Sequence, residues 1–310
     1  MTETISYPVE TPTGRRTVEV AYERSGGGDP VVLLHGIGHH LQAWHPVSGI
    51  LAAERDVIAV DLPGFGSSPA LPDGVPYDLA GVAPALGALF AALGVDRPHV
   101  VGNSLGGLLA LELGRLRLVR SVTALSPGGF WTPAERRYAF GVLLGMRRGA
   151  RVLPDPVVAR LARTAVGRAA LVSPIYARPG RRSPDAVVAE TRALRTAAGF
   201  DATLAAGRSV LFRDDVPDVP VTIGWGAGDR LLLPRQGLRA KRAIPHARLV
   251  RLPGCGHVPM NDDPALVARV ILDATRPAPG RSASGRSGAG RSALGHEAAA
   301  TEAAGVESGG

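Results

Sequence analysis

Cysteine and lysine are almost absent from this sequence. Its 310 residues include one cysteine, Cys255, and one lysine, Lys241. A single cysteine excludes a disulfide framework, and it also excludes a zinc site built on several thiolates. Aromatic residues are scarce at 5%, but hydrophobic residues make up 45% of the chain, which is enough to bury a sizeable core.

Long apolar runs are missing as well. No stretch of about 18 consecutive apolar residues occurs, so the sequence predicts no membrane-spanning helix. The first residues, MTETISYPVETP, have neither the basic start nor the apolar run of a secretory signal. We therefore expect a cytoplasmic protein.

Positive charge is concentrated in one part of the chain. The formal net charge is +8, and residues 131–205 alone carry 13 arginines against 5 acidic residues, which accounts for the whole excess. Neither a zinc-finger spacing nor a strip of basic and aromatic residues accompanies these arginines. We therefore expect no nucleic-acid partner and interpret the charge as a property of one inserted segment.

Segments typical of buried strands alternate with segments typical of helices. The fully apolar run at 31–34 is the clearest strand, and Asp78 is placed to cap a helix that continues to about Leu93. This alternation predicts an α/β fold with a mainly parallel sheet covered by helices on both faces. The predicted strands are 17–23, 31–34, 56–60, 99–101, 122–125, 219–225 and 248–252.

Residues 131–205 interrupt this alternation. They are rich in arginine, contain no strand signal and are predicted to form a helical insertion, or cap, over the sheet. From about Arg276 onward Gly, Ser and Ala dominate, and such a composition buries too little apolar surface to order the chain. The expected organisation is a core of residues 1–130 and 206–275, a cap of 131–205 and a disordered tail of 276–310.

The string GNSLG at 102–106 matches the pattern G-x-S-x-G. It follows a predicted strand and opens a predicted helix, which is the context that this motif requires. A sharp strand-to-helix turn would present the Ser104 hydroxyl above the sheet, beside a helix N-terminus that favours developing negative charge. We predict Ser104 as a nucleophile and the backbone N–H of Leu105 as a donor to an oxyanion.

The string HGIG at 35–38 directly follows the apolar strand. Its small residues allow the backbone to fold back, so that the N–H of Ile37 becomes the second oxyanion donor. A histidine at this place usually bonds the backbone of its own loop, so His35 is interpreted as structural.

Two later loops provide an acid and a base. Asp229 lies in WGAGDR, where a carboxylate can hold an imidazole in one tautomer. Two alternatives are that Asp229 only bonds its own turn and that Asp61 is the acid. His257 lies in GCGHVP after the last predicted strand, and the chain order Ser104, Asp229, His257 is the order expected of a catalytic triad on such a sheet.

With these motifs in this order, the sequence resembles the α/β-hydrolase superfamily over roughly residues 15–275. The strings HGIG, DLPGFGSS, GNSLGG, WGAGDR and GCGHVP carry the resemblance. The resemblance implies an eight-stranded, mostly parallel sheet with a helical cap, and a serine hydrolase that needs no cofactor or metal. Serine at the nucleophile position disfavours the members that open epoxides or displace halide, because those use aspartate there.

Three functions stay open at this point. The first is hydrolysis of a small carboxylic ester, lactone or thioester through an acyl-enzyme. The second uses the same triad to cleave a carbon–carbon bond in a dienoate of the kind formed by ring cleavage, with the basic cap recognising its carboxylate. The third is a hydrolase-like protein that binds a small molecule without catalysis, which the intact triad disfavours.

The substrate site is predicted around the same loops. We assign Gly36, Gly38, Asn103 and Trp131 to it and expect a small substrate that is apolar or carries a carboxylate. The histidines at 39, 40 and 45 have no acidic or cysteine neighbours in sequence, so no metal site is expected there.

The apolar stretch YAFGVLLGM at 138–146 is bracketed by pairs of arginines. It is predicted to cover the core, and the alternative is a weak contact with an anionic membrane surface. The sequence leaves the oligomeric state open.

Overall fold

Eight strands form one sheet in the computed structural model, which describes residues 1–12 and 14–276. The strands are β1 (Glu3–Thr11), β2 (Gly14–Gly26), β3 (Pro30–Leu34), β4 (Asp56–Val60), β5 (His99–Asn103), β6 (Ser121–Leu125), β7 (Val221–Gly226) and β8 (Arg248–Leu252). Their order across the sheet is β1-β2-β4-β3-β5-β6-β7-β8. β2 is antiparallel to both of its neighbours, and all pairings from β4 to β8 are parallel. The predicted mostly parallel, eight-stranded sheet is confirmed.

Helices cover both faces of this sheet. They are α1 (His45–Ala52), α2 (Leu79–Ala92), α3 (Leu105–Arg115), α4 (Pro133–Val152), α5 (Asp155–Ala162), α6 (Ala165–Val172), α7 (Pro184–Thr196), α8 (Phe200–Ala206), α9 (Gln236–Ala243), α10 (Pro259–Asp262) and α11 (Pro264–Ala274). As predicted, Asp78 caps α2, because its carboxylate accepts a hydrogen bond from the N–H of Gly81.

The central strand β3 shows how the two faces are filled. Its residues Val32 and Leu34 belong to a core shared with α2 and α3, while Val31 and Leu33 belong to a core shared with α1 and α11. All four side chains are fully buried. Because successive strand residues point to opposite faces, a strand buried on both sides must be apolar throughout, as the sequence of β3 is.

Strand β1 was not among the strands predicted from the sequence. This strand lies at the edge of the sheet. Only Tyr7 and Val9 are buried in it, and they alternate with exposed residues. Its pairing with β2 also explains why β2 begins at Gly14, earlier than the predicted strand at 17–23. An edge strand with one solvent-exposed face has no continuous apolar run, so its sequence lacks the pattern of a buried strand.

Between β6 and β7 the chain forms the five helices α4 to α8. This helical segment, residues 133–206, contains no strand. Within the described residues, no helix is long and apolar enough to cross a membrane. Apart from Arg276, the predicted disordered tail lies outside the described residues.

Several arginines of the helical segment bond main-chain carbonyl groups. Arg147 is buried, and its guanidinium donates to the carbonyl oxygens of Leu194 and Ala197 where α7 ends. Arg195 donates to the carbonyl oxygen of Leu153 at 2.7 Å, just beyond the end of α4. Carbonyl groups at the end of a helix have no partner within it, so these arginines complete the hydrogen bonding between helices.

Glu135 joins the first turn of α4 to the core. It is 5% exposed and forms a capping box with Thr132. Its carboxylate also accepts hydrogen bonds from Arg235, at 2.6 Å, and from Arg239 on α9. One buried carboxylate therefore caps a helix and pairs with two guanidinium groups.

We expect Glu135→Ala to lower the free energy of unfolding by about 2 kcal/mol, because it removes both a cap and two charged hydrogen bonds. Burial by itself would raise the pKa of Glu135, but the Thr132 N–H and the two guanidinium groups hold this pKa below its usual range. The charge therefore stabilises the fold above the ordinary carboxyl pKa, and this contribution is lost as the pH falls through the lowered value. Urea unfolding of wild type and Glu135→Ala measures the total loss. Glu135→Gln removes only the charge, so its free energy of unfolding should be below that of wild type at neutral pH and equal to it in acid; equal stability at neutral pH would contradict the assignment.

Candidate active site

The turn between β5 and α3 holds Ser104 in a strained conformation. Its φ is 56° and its ψ is −111°, a region that residues with side chains rarely adopt. A Cβ atom on Gly102 would overlap the carbonyl group of Gly106, and one on Gly106 would overlap the carbonyl oxygen of Leu34. The turn therefore requires glycine at both positions, as its G-x-S-x-G pattern predicts.

Ser104 stands where a helix cap would stand, yet its hydroxyl does not cap α3. Serine is a favoured cap residue, so a hydroxyl left out of the cap is free for another use. The turn is instead held by the main chain, in which the Ser104 N–H donates to the carbonyl oxygen of Leu125 at 2.9 Å. The residue is 8% exposed.

The two residues predicted to supply oxyanion donors line the same small cavity as Ser104. Ile37 and Leu105 line this cavity of about 60 Å³ with Ser104, and we name it the catalytic cavity. Among the described residues, neither N–H donates a hydrogen bond. Unpaired N–H groups beside a hydroxyl can bind the oxygen on which negative charge develops.

Asp229 and His257 form a buried pair. The Nδ1 of His257 lies 2.9 Å from Oδ2 of Asp229, and both residues are 3% exposed. Since a carboxylate can only accept, Nδ1 carries a proton in this contact, and in the neutral imidazole Nε2 is then the nitrogen that can accept. Oδ1 of Asp229 accepts from the N–H groups of Leu231 and Leu232, so the aspartate bonds its own turn and the histidine together.

The loop that carries His257 is tied to the turn of Ser104. The side-chain amide of Asn103, the residue before Ser104, donates to the carbonyl oxygen of His257 at 2.8 Å. The His257 N–H donates to the carbonyl oxygen of Ile175 in the helical segment. In the described part of the chain no hydrogen bond joins the Ser104 hydroxyl to His257. Such bonds are often long without substrate and shorten in the complex.

His35 and Asp61 form the support beneath the oxyanion loop, residues 35–39. The Leu62 N–H donates to Nε2 of His35, so Nδ1 carries the proton and donates to the carbonyl oxygen of Gly36 at 2.7 Å. Burial lowers the pKa of His35 to about 4, although the Asp61 carboxylate opposes this shift. Asp61 accepts from the N–H of Leu41 rather than from His257. His35 and Asp61 thus serve the loop backbone.

The residues assigned to the substrate site fall into different places. Trp131 lines the catalytic cavity, and Gly36 adjoins the turn, since a Cβ on it would lie 3.2 Å from that of Ser104. Gly38, with φ of +71°, lines a second cavity instead. Asn103 is 2% exposed and lines neither cavity, because its amide joins the two loops described above.

The second cavity is larger and adjoins the first. Its volume is about 280 Å³, and it lies between α4, the α6 region, α7 and the oxyanion loop. Ile37 and Leu143 line both cavities. We name this space the distal cavity. Neither cavity has a lysine or arginine among its lining residues.

Most residues that line these cavities gave no signal in the sequence. Phe140 and Leu143 from α4 and Thr203 from α8 line the catalytic cavity, beside Leu231 from the loop of Asp229. These residues come from segments far apart in the chain, and ordinary apolar spacing along a helix does not show which cavity a side chain will line.

Cys255 lies two residues before His257. Its side chain is fully buried, and burial raises the pKa of the thiol to about 12. Over the described residues, no group of three or more His, Cys, Asp and Glu side chains is arranged to hold a metal ion. His39 and His40 stack on each other, with ring centroids 5.1 Å apart.

The chain belongs to the alpha/beta hydrolase family. The sequence profile of that family matches residues 31–270, which include the serine turn, the oxyanion loop, Asp229 and His257. The family and the eight-stranded sheet with helices on both faces agree with the predicted resemblance, which is confirmed. The family assignment makes the protein a hydrolase-type enzyme.

Individual proteins are similar to this chain to different extents. An uncharacterised protein of Mycobacterium tuberculosis is 29% identical over 280 residues, covering 83% of this chain and 79% of its own. A pimeloyl-[acyl-carrier protein] methyl ester esterase of Aeromonas hydrophila is 44% identical over 96 residues, covering 31% of this chain and 36% of its own. A thermophilic esterase of Thermogutta terrifontis has the same fold, with a TM-score of 0.70, 21% identity and coverage of 87% of this chain and 97% of its own.

We expect Gly102→Ala to lower the free energy of unfolding by about 3 kcal/mol or more, because the methyl group overlaps backbone that cannot move aside. Gly141→Ala in α4 is a matched control, since nothing lies within 4 Å of the added methyl group. The control should gain up to about 1 kcal/mol, as alanine is the better helix former. Thermal unfolding of both variants checks this, and a Gly102→Ala protein as stable as wild type would refute the strained turn.

Proposed function

We propose that this chain is a serine hydrolase that cleaves a small carboxylic ester, lactone or thioester. Ser104 is the nucleophile, His257 the base, Asp229 the group that orients the base, and the N–H groups of Ile37 and Leu105 form the oxyanion hole. The observation that carries this proposal is the buried hydrogen bond between Asp229 and His257, in a loop bonded to the turn of a serine whose hydroxyl does not cap its helix.

The mechanism follows from these roles. The Ser104 hydroxyl attacks the carbonyl carbon while Nε2 of His257 takes its proton, and the carbonyl electrons move to the oxygen held by the two N–H groups. The tetrahedral intermediate then expels the alcohol, which receives the proton from His257. Water, deprotonated by the same imidazole, attacks the acyl-enzyme and releases the carboxylic acid and the free serine.

We propose further that the helical segment acts as the cap of a catalytic core, with residues 131–205 over residues 1–130 and 206–275. Residues of α4 and α8 line the catalytic cavity together with Ser104. The walls of both cavities are mostly apolar, which supports a substrate with an apolar body.

The carbon–carbon hydrolase is the second candidate, and it uses the same triad. Two features favour it: the strings around Ser104 and Asp229, and a basic cap that recognises the carboxylate of a dienoate. The arginines of the helical segment do not line either cavity, and Arg147 and Arg195 bond carbonyl groups instead. Ester hydrolysis is therefore the better supported of the two.

The apolar stretch at 138–146 is divided between two sides of α4. Phe140 and Leu143 line the catalytic cavity, whereas Tyr138 and Leu144 are 49% and 47% exposed. The exposed side also carries Arg148. Contact of this side with an anionic membrane surface stays a prediction.

We expect a fluorophosphonate probe to label the wild type and not Ser104→Ala. Asp229→Asn should lower kcat on p-nitrophenyl esters by about 10⁴, because the amide favours the wrong tautomer of His257. Asp96→Asn, which changes an exposed aspartate before the start of β5, at the other end of that strand from Ser104, is the control and should keep full activity. A wild type that is neither labelled nor active on esters or a dienoate would leave the non-catalytic binder as the function.

Acyl-chain length should depend on the distal cavity. Gly149 lines it, and a Cβ there meets nothing within 4 Å, so Gly149→Leu places a side chain in open space. We expect this variant to lose about tenfold in kcat/KM on long-chain esters and little on acetyl esters. Gly141→Leu lies on the same helix away from both cavities and should change neither; equal losses on short and long esters would contradict the role of the cavity.

A further inference from the structure

Glu190, which lines the distal cavity, has one buried oxygen that lacks a hydrogen-bond partner among the described residues. The lining side chains of this cavity are apolar except for His39, Glu190 and Thr191. The Thr191 hydroxyl donates to the carbonyl oxygen of Val187 at 2.7 Å, within its own helix. The Thr191 proton is therefore used within its own helix, although its oxygen keeps a lone pair that can accept.

His39 has both ring nitrogens engaged. The N–H of His40 donates to Nδ1 of His39 at 3.1 Å, so the ring proton is on Nε2. Nε2 lies 3.3 Å from the hydroxyl oxygen of Tyr176, to which it donates. The histidine therefore has no free position for a ligand.

Glu190 is used at one oxygen only. Its Oε1 accepts from the Tyr176 hydroxyl at 2.9 Å and from the guanidinium of Arg182. Among the described residues its Oε2 has no hydrogen-bond partner, although Glu190 is only 7% exposed. Burial raises the pKa of Glu190, and the salt bridge with Arg182 opposes that shift. A buried carboxylate oxygen without a partner is costly, so a donor that reaches it gains affinity.

We propose that the distal cavity binds the apolar arm of a substrate whose far end carries a hydrogen-bond donor, a hydroxyl or an amine, and that Glu190 Oε2 accepts from it. The distal and catalytic cavities share Ile37 and Leu143 as lining residues and are therefore adjacent, and in this proposal one molecule extends from Ser104 into both. A terminal carboxylate is the wrong group here, because the wall offers it a carboxylate and no cation. This inference rests on the proposed ester hydrolysis for the reaction at Ser104.

The test measures binding to Ser104→Ala by calorimetry, so it does not require any ester to be hydrolysed. The probes are methyl esters of graded length that end in a methyl group, a hydroxyl, a ketone or a carboxylate. At the best length, the hydroxyl ester should bind about tenfold more tightly than the methyl-ended ester, and the carboxylate-ended ester should bind worst.

Two further variants test whether Glu190 is the residue that causes the preference for the hydroxyl-ended ester. In Ser104→Ala with Glu190→Gln, Tyr176 and Arg182 keep the amide oxygen, so an NH₂ group replaces Oε2 and the ketone ester should become the preferred ligand. Ser104→Ala with Thr191→Val changes the neighbouring wall residue and should keep the preference for the hydroxyl. The comparison of probes on Ser104→Ala itself stands even if a Glu190 variant does not fold.

The outcomes separate the two proposals. No binding of any probe, equal binding of hydroxyl and methyl ends, or preference for the ketone without the Glu190 change would each overturn the role of Glu190. Failure of the fluorophosphonate and ester assays on wild type, together with a hydroxyl preference in calorimetry, would instead overturn the hydrolase mechanism and leave the binding site standing.

Discussion

The close approach of three backbone segments at the serine turn is the constraint on which the site depends. The turn after β5 passes so near its own helix start that Gly102 cannot carry a side chain, and it passes so near the end of β3 that Gly106 cannot either. This contact brings the oxyanion loop beside the serine. Parallel strands with all their carboxyl ends at one edge make such a meeting possible, since each loop then starts from the same side of the sheet.

The fold class and the loops that surround the site could be predicted from the sequence alone. The buried central strands β3 and β4 are apolar except for Asp56 at the start of β4, so their signal is strong. β1 was missed because an edge strand with one exposed face has only two buried side chains, Tyr7 and Val9. The walls of the cavities could not be predicted, because they combine side chains from α4, α7, α8 and the oxyanion loop, and helical periodicity alone does not specify how helices pack together.

The arginines of the helical segment make different contacts in the structure from those that their number in the sequence suggested. A cluster of positive charge in a sequence favours an anionic ligand, but the half-buried and buried arginines here donate to carbonyl groups at helix ends and to carboxylates inside the helical segment. The planar guanidinium suits this use, since its five donors can bond several carbonyl groups at once. The net charge of a segment therefore does not indicate which charges reach a ligand; the hydrogen bonds of each arginine do.

The position of Cys255 has a consequence for the conditions under which the protein works. Oxidants act on exposed thiolates, and this thiol is fully buried and stays protonated at any physiological pH. Because the chain holds no other cysteine, thiol–disulfide exchange has no other group in it to act on. Thiol oxidation should therefore leave the loop that positions His257 unchanged, in reducing and in oxidising compartments alike.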